Sequence, residues 1–343
     1  MILITTPDYF PKLGGLSTLT LQLENSLREM GLSCEVFQWN SWKDIKAFSK
    51  EKLQNYKLVI NIHYLFGFLR RNDLAVNTPM VNFICGTEIL FTSPTWWKRG
   101  IKKLTKKSVI SHIESCHLNL FISEFTHSLI QSFGFKPSSA RDIIYHCGID
   151  AEAPCFFPKN SMKDSKVVKF ACIARDVKHK NLVGAVKFCE LVKLVLGKEV
   201  VLTLPQGVSY QSEQITIENL LSKSEEDKLK AFKEAHFNLL LSLPDYQQGF
   251  VEGFGLTVLE AGLFGTPSIV MNTGGLTDSV HDNFTGWVIN QVDIETVKDL
   301  FQQKIEKSYT HVSKYCFEHT LNSHNLNSWR KIFYTISKIQ EAA

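Results

Sequence analysis

The chain has 343 residues, 44% of them hydrophobic and 21% charged, with a formal net charge of +4. That length exceeds one ordinary core and suits two domains, and the composition is that of a soluble globular protein without fixed-period repeats or low-complexity tracts. The charge excess lies in residues 1–155, which hold 17 Lys and Arg against 13 Asp and Glu, while the remainder balances at 21 against 21; so mild an imbalance bears on partners rather than fold.

No stretch approaches eighteen uninterrupted apolar residues, so no membrane span is expected. Met1-Ile2-Leu3-Ile4 runs straight into a strand pattern, with no basic leader or small-residue cleavage site, and a cytoplasmic location is expected. The eight cysteines form no Cys-x-x-Cys pair and sit in hydrophobic segments, which predicts buried reduced thiols and neither a zinc site nor a disulfide framework.

In chain order, Ile2–Thr5 reads as a strand, followed by the Gly14-Gly15 turn and a helix. Leu16, Leu19, Leu23, Leu27 and Met30 recur at helical spacing, and Gly31 stands where a C-terminal cap belongs. Cys34–Phe37, Leu58–Ile62, Val81–Ile84 and Leu118–Ile122 continue as short apolar strands. Linker composition follows over Ala151–Lys166. The pattern then restarts: strand Val167–Ile173, helix Leu182–Leu196, strand Val200–Leu204, a charged helix over Glu225–Ala235, strand Phe237–Leu243, helix Leu256–Phe264 and strand Pro267–Met271. Apolar strands alternating with helices predict an α/β protein of two Rossmann-like, doubly wound parallel sheets. The expected domains are 1–155 and 156–326 facing across a cleft, with a helix over 327–343 crossing back to the first; ligands of such sheets bind at the C-terminal ends of the strands.

The chemistry concentrates in Val251-Glu252-Gly253-Phe254-Gly255-Leu256-Thr257-Val258-Leu259-Glu260-Ala261. Gly253 and Gly255 allow a turn whose amides approach a ligand closely. A helix start near Leu256 presents unpaired N–H groups to a diphosphate. Glu260, a turn further on, suits a ribose, because a carboxylate accepts hydrogen bonds from two neighbouring hydroxyls. Glu252 would face the other end of such a ligand, where a sugar would lie. Read alone, this stretch is equally a tight strand–helix turn with solvated glutamates. Gly265-Thr266-Pro267, Asn272-Thr273-Gly274-Gly275-Leu276 and Asn283-Phe284-Thr285-Gly286-Trp287-Val288 follow at short range.

Together these segments resemble the C-terminal signature of glycosyltransferase family 4, with Glu252 and Glu260 on its Glu-x7-Glu positions. The resemblance implies the GT-B fold, retention of anomeric configuration, Glu252 at the transferred sugar and Glu260 at the nucleotide ribose. Phe254, Gly255, Leu256 and Thr257 then line the donor with Gly253. Arg175 and Lys180 are similar to the family's pair of diphosphate-binding cations, although Asn181 stands where glycine is common and Lys178 lies nearby. By itself, Arg-Asp-x-Lys-His-Lys is a solvated charged loop. Gly14-Gly15-Leu16-Ser17 resembles the glycine-rich loop facing donor and acceptor, while Ser123–Thr126 and Cys147–Asp150 match two further landmarks. Where many members read His-Gly-Thr-Asp, this chain has Cys85-Gly86-Thr87-Glu88, which removes an imidazole donor to the sugar. Glu88 or His63 could hold the sugar instead, or turnover is reduced.

The resemblance implies a nucleotide-diphosphate sugar donor, with uridine the commonest base, and a saccharide or lipid-linked acceptor. No Asp-x-Asp triplet occurs, so a metal-independent reaction is expected, with no cofactor. Trp96-Trp97-Lys98-Arg99, with Lys102, Lys103, Lys106 and Lys107, places six cations beside paired tryptophans. This suits an anionic membrane surface and a polyprenyl- or other lipid-linked acceptor, as in bacterial cell-surface glycan assembly; a solvated basic helix is the alternative. No nucleic-acid-binding module accompanies it. Two other functions stay open: a nucleotide-sugar epimerase of the same fold, and a catalytically weak nucleotide-sugar-binding subunit.

Overall fold

The computed structural model describes residues 1–9, 14–75, 78–149, 156–158, 164–324, 332 and 334–339. It divides into two compact units: Met1–Asp150 with Tyr246–Gly253 and Asn325–Ala343, and Ala151–Asp245 with Phe254–His324. Most of the helix expected over 327–343 lies outside the described residues; 334–339 are helical.

The first unit holds six parallel strands, β1 (Ile2–Thr6), β2 (Cys34–Gln38), β3 (Leu58–Asn61), β4 (Met80–Ile84), β5 (Leu118–Phe121) and β6 (Asp142–Ile144), in the order β2-β1-β3-β4-β5-β6. β1, β3, β4 and β5 are buried along their whole length, as strands covered by helices on both faces must be. The helix Gly15–Glu29 buries Leu19, Leu23 and Leu27, and Gly31 adopts the left-handed backbone of a helix terminus. Leu16 is only half-buried and Met30 is exposed, so the apolar stripe is shorter than its spacing suggested.

A buried polar ladder pins the register of this sheet. Thr5 donates to Asn61 (3.0 Å), Asn61 to Asn82 (3.1 Å), Asn82 to Asn119 (3.2 Å) and Asn119 to Asp142 (2.9 Å). Each pair stands in direct register across neighbouring strands. Thr5 and all three asparagines are fully buried, so slipping one strand would strand amides without partners, at a cost of about 1–3 kcal/mol per group.

The second unit repeats the plan with β7 (Val167–Ala171), β8 (Glu199–Leu204), β9 (Thr216–Asn219), β10 (Phe237–Leu240), β11 (Ser268–Met271) and β12 (Gly286–Ile289), in the order β12-β11-β10-β7-β8-β9. Phe170, Phe188, Phe237, Trp287 and Phe301 form an aromatic centre. Strand order reverses direction between β1 and β3 in the first sheet and between β7 and β10 in the second. At such switch points the connecting loops diverge and leave a crevice beyond the strand ends.

Candidate active site

In the second unit, β7 ends at Ala171 and the chain passes Arg175 into a tight turn at Lys178–Lys180 before the helix Leu182–Leu196. Arg175 and Lys178 are exposed and Lys180 is half-buried. The turn is tied to the chain beyond β10, where Leu243 N donates to the His179 carbonyl at 2.8 Å. Asn181 adopts the left-handed conformation at φ 53° and caps the helix by accepting from Gly184 N, while its amide donates to Leu241 O at 3.1 Å. The place where glycine is common is therefore one of positive φ, which asparagine tolerates better than most residues. Both predicted phosphate-binding cations thus stand beyond β7, at the switch point of this sheet.

After β10 the chain returns to this unit at Phe254, and the helix Leu256–Gly262 starts from Gly255. Gly255 has φ 94°, and a Cβ there would come within 2.9 Å of Leu240 and Leu276. Glycine at 255 is therefore required by backbone and packing alike. Leu276 comes from the Asn272–Leu276 loop, so the second glycine-bearing loop buttresses the first. Phe254, expected at the donor, has its side chain buried at 1% exposure against His324, with ring centroids 6.0 Å apart; only its backbone could meet a ligand. The Gly286-Trp287 pair is structural: Gly286 packs against Ser268, and Trp287 is fully buried.

Glu260 is 6% exposed, and its Oε1 accepts from Lys228 Nζ at 2.8 Å. Its Oε2 is buried and makes no hydrogen bond among the described residues, and neither does the buried Thr257 Oγ1 one turn earlier. Burial pushes the Glu260 carboxyl upward and the Lys228 charge opposes it. Burial also opposes the charge on Lys228, but the Glu260 and Glu225 carboxylates outweigh it and hold the ammonium above the usual lysine range. Sequence reasoning missed Lys228, which comes from a helix read only as charged.

In the first unit, Gly14 and Gly15 open the helix Gly15–Glu29 beyond the end of β1. His63 follows β3, so both lie at that sheet's switch point. Burial and the nearby charge of Lys102 drive the His63 imidazole down to about 3. It is therefore neutral near pH 7, and because Nδ1 accepts from Leu65 N at 3.1 Å, the proton sits on Nε2. Glu88 is buried in the short helical turn Thr87–Leu90 and accepts from Cys85 N at 2.5 Å. Burial raises its carboxyl, while backbone N–H groups of Glu88, Cys85 and Gly86 and the charge of Lys102 pull it back. Burial raises the Cys85 thiol well above its ordinary value, so it is a neutral thiol rather than a nucleophile. His63, Cys85 and Glu88 thus share one neighbourhood.

The segment Tyr246–Gly253, carrying Glu252, also belongs to this unit. Thr87 Oγ1 donates to Val251 O at 3.4 Å and Thr92 Oγ1 to Gln247 O at 3.1 Å, so the segment runs along Cys85–Thr92. A Cβ on Gly253 would collide with the Cys85 carbonyl. Gly253 therefore makes room for its own protein, and Glu252, half-buried, is held next to Cys85-Gly86.

The basic stretch forms the helix Trp96–Ser115, and its cations divide. Arg99 Nε donates to Ser93 O at 3.0 Å, Lys106 lies 4.8 Å over the Phe133 ring, and half-buried Lys102 lies near enough to Glu88 and His63 for its charge to act on both. These three do not belong to an outward membrane face. Lys98, Lys103 and Lys107 are exposed, and so are Trp96 (82%), Trp97, Ile101 and Leu104 (86%). Among the described residues no helix is long and apolar enough to cross a membrane, and no His, Cys, Asp and Glu group is placed to hold a metal ion. Seven cysteines are free thiols, five buried and two half-buried; Cys155 lies outside the described residues.

Residues 156–316, which span the Arg175–Lys180 turn and Glu260, match the family model described as Glycosyl transferases group 1. The protein is a glycosyltransferase. No curated protein matches it significantly by sequence. Among solved structures, the glycosyltransferase is similar to sucrose-phosphate synthase from Thermosynechococcus elongatus, with 15% identity, TM-score 0.73, and coverage of 100% of this chain and 99% of that one. A glycosyltransferase from Rickettsia africae ESF-5 matches with 14% identity, TM-score 0.73 and coverage of 100% and 99%. Anabaena HepE, in complex with UDP and glucose, matches with 13% identity, TM-score 0.67 and coverage of 98% and 99%. At these identities the likeness shows the fold, which is GT-B.

Proposed function

We propose that this glycosyltransferase belongs to family 4 and moves a sugar from UDP, with retention and without a metal, onto a saccharide or lipid-linked acceptor. The observation that carries the reading is Glu260: a buried carboxylate with one unused oxygen, eight residues after Glu252, in the unit that presents Arg175 and Lys180. UDP as leaving group accords with the Anabaena HepE complexes with UDP and with UDP-glucose.

In this reading Glu260 accepts from the ribose, Thr257 stands beside it, and Gly15, Gly253, Gly255 and Leu256 present backbone to the donor. Arg175 and Lys180 stabilise the diphosphate as the bond from anomeric carbon to phosphate oxygen breaks, a task that otherwise falls to a divalent ion. The absence of an Asp-x-Asp triplet supports metal independence. The acceptor oxygen attacks from the face the diphosphate leaves, and a donor phosphate oxygen takes its proton. Glu252 acts at the transferred sugar, with Gly14, His63, Cys85 and Glu88 on the acceptor side. Neutral His63 and buried Glu88 supply the polar contacts that Cys85 cannot.

Incubation with UDP-glucose and related UDP-sugars in EDTA tests this: UDP release lost in Glu252→Ala is expected. Epimerised sugar without UDP release points instead to an epimerase, and binding without turnover to a binding subunit.

The exposed Trp96, Trp97, Ile101 and Leu104, flanked by Lys98, Lys103 and Lys107, favour peripheral association with an anionic membrane, at the inner face of the cytoplasmic membrane if the acceptor is a lipid-linked bacterial surface glycan.

A further inference from the structure

Lys228 and Glu260 lie 32 residues apart, on two helices of the same unit. Phe232, one turn beyond Lys228, is fully buried with Ala261, the neighbour of Glu260, so apolar packing sets the two helices side by side. The Lys228 ammonium bridges Glu225 at 2.7 Å and Glu260 at 2.8 Å, its side chain 17% exposed. An ion pair with a purely structural task would be expected to leave no buried charge unmet. Here Glu260 Oε1 is engaged while buried Oε2 makes no hydrogen bond among the described residues, and Thr257 Oγ1 is in the same condition. A carboxylate beside a diphosphate would also repel it unless a cation cancelled its charge.

We propose that Lys228 is a positioning residue for nucleotide recognition, holding Glu260 by Oε1 so that Oε2 faces a ribose hydroxyl while the paired charge spares the diphosphate from repulsion. This rests on the reading of Glu260 as the ribose acceptor. Lys228 touches no substrate; it acts through Glu260.

The test is isothermal titration of the full chain with UDP, GDP and ADP, each beside its 2′-deoxy counterpart. The wild type is expected to favour the ribose form of its best nucleotide by about tenfold, roughly one charge-assisted hydrogen bond. Lys228→Gln is expected to weaken both forms, because the Glu260 charge is then uncancelled, but the ribose form more, so that most of that preference is lost, while Lys228→Arg restores it. Lys228→Met, which keeps the aliphatic stem, replaces Lys228→Gln if that variant does not fold. Equal weakening of both forms, or an unchanged preference, overturns the role of Lys228. A preference that survives Glu260→Gln overturns the ribose reading itself, and a wild type that binds none of the three, or shows no preference, overturns both.

Discussion

The Cys85 carbonyl occupies the space that a side chain at position 253 would need. The first glycine of the Glu-Gly-Phe-Gly run is thus explained by a protein–protein contact inside the first unit, which fixes Glu252 beside the Cys85–Glu88 loop. Gly253→Ala is expected to push the two segments apart, costing about 1–3 kcal/mol, as overpacking does, and lowering turnover more than UDP affinity. Urea unfolding and UDP titration of the variant check this; an unchanged midpoint with full turnover refutes it.

Asn181 yields a graded prediction. Asn181→Gly keeps the left-handed backbone but loses the cap and the bond to Leu241, so stability should fall by only about 1 kcal/mol. Asn181→Val adds the left-handed penalty of a β-branched residue and should cost about 3 kcal/mol in all. The thermal midpoints of the two variants rank them directly.

On the Trp96–Ser115 helix the membrane proposal separates residues by where they point. Trp96→Ser with Leu104→Ser should abolish sedimentation with anionic phosphatidylglycerol vesicles, because both side chains stand in solvent. Lys102→Gln should leave sedimentation intact, since Lys102 is half-buried and its charge acts on Glu88 and His63. Loss of binding in Lys102→Gln alone would place the lipid contact on another face.

His112 makes the first unit acid-sensitive. It is 3% exposed, and burial, with the charge of Arg71, drives its imidazole from 6.5 down to about 4. The unfolded chain therefore binds a proton below pH 6.5 that the folded chain refuses until about pH 4, so stability is full above that window and drains as pH falls through it. At pH 5 the loss is about 2 kcal/mol relative to pH 7. Denaturation midpoints of wild type and His112→Gln at the two pH values measure this, with the flatter profile expected for the variant.

The strands most legible in the sequence are those buried along their whole length, such as Leu58–Asn61 and Phe237–Leu240, where apolar residues dominate and one asparagine stands in each. The three missed are edge strands of their sheets. Asp142–Ile144 has three residues, Thr216–Asn219 is mostly exposed, and Gly286–Ile289 hides inside a motif read for its chemistry. At the candidate site, local spacing singled out Glu252, Gly255 and Glu260. Lys228, and the nearness of the Lys102 charge to Glu88, were illegible because each depends on tertiary arrangement of separate elements. Phe254 and Gly253 show the converse, in which residues read for a ligand also serve the packing of the protein.

The amide ladder from Thr5 to Asp142 has a polarity. Every rung hands its proton toward β6, and the last partner is a carboxylate that can only accept, so no single amide can turn over without leaving two acceptors face to face. Deamidation of Asn61, Asn82 or Asn119 would replace one NH2 by oxygen and set two acceptors against each other, abolishing one link. A chemical ageing event that is silent on a surface loop would here break the sheet from within, which makes the lifetime of this unit a matter of keeping its middle three asparagines closed to water.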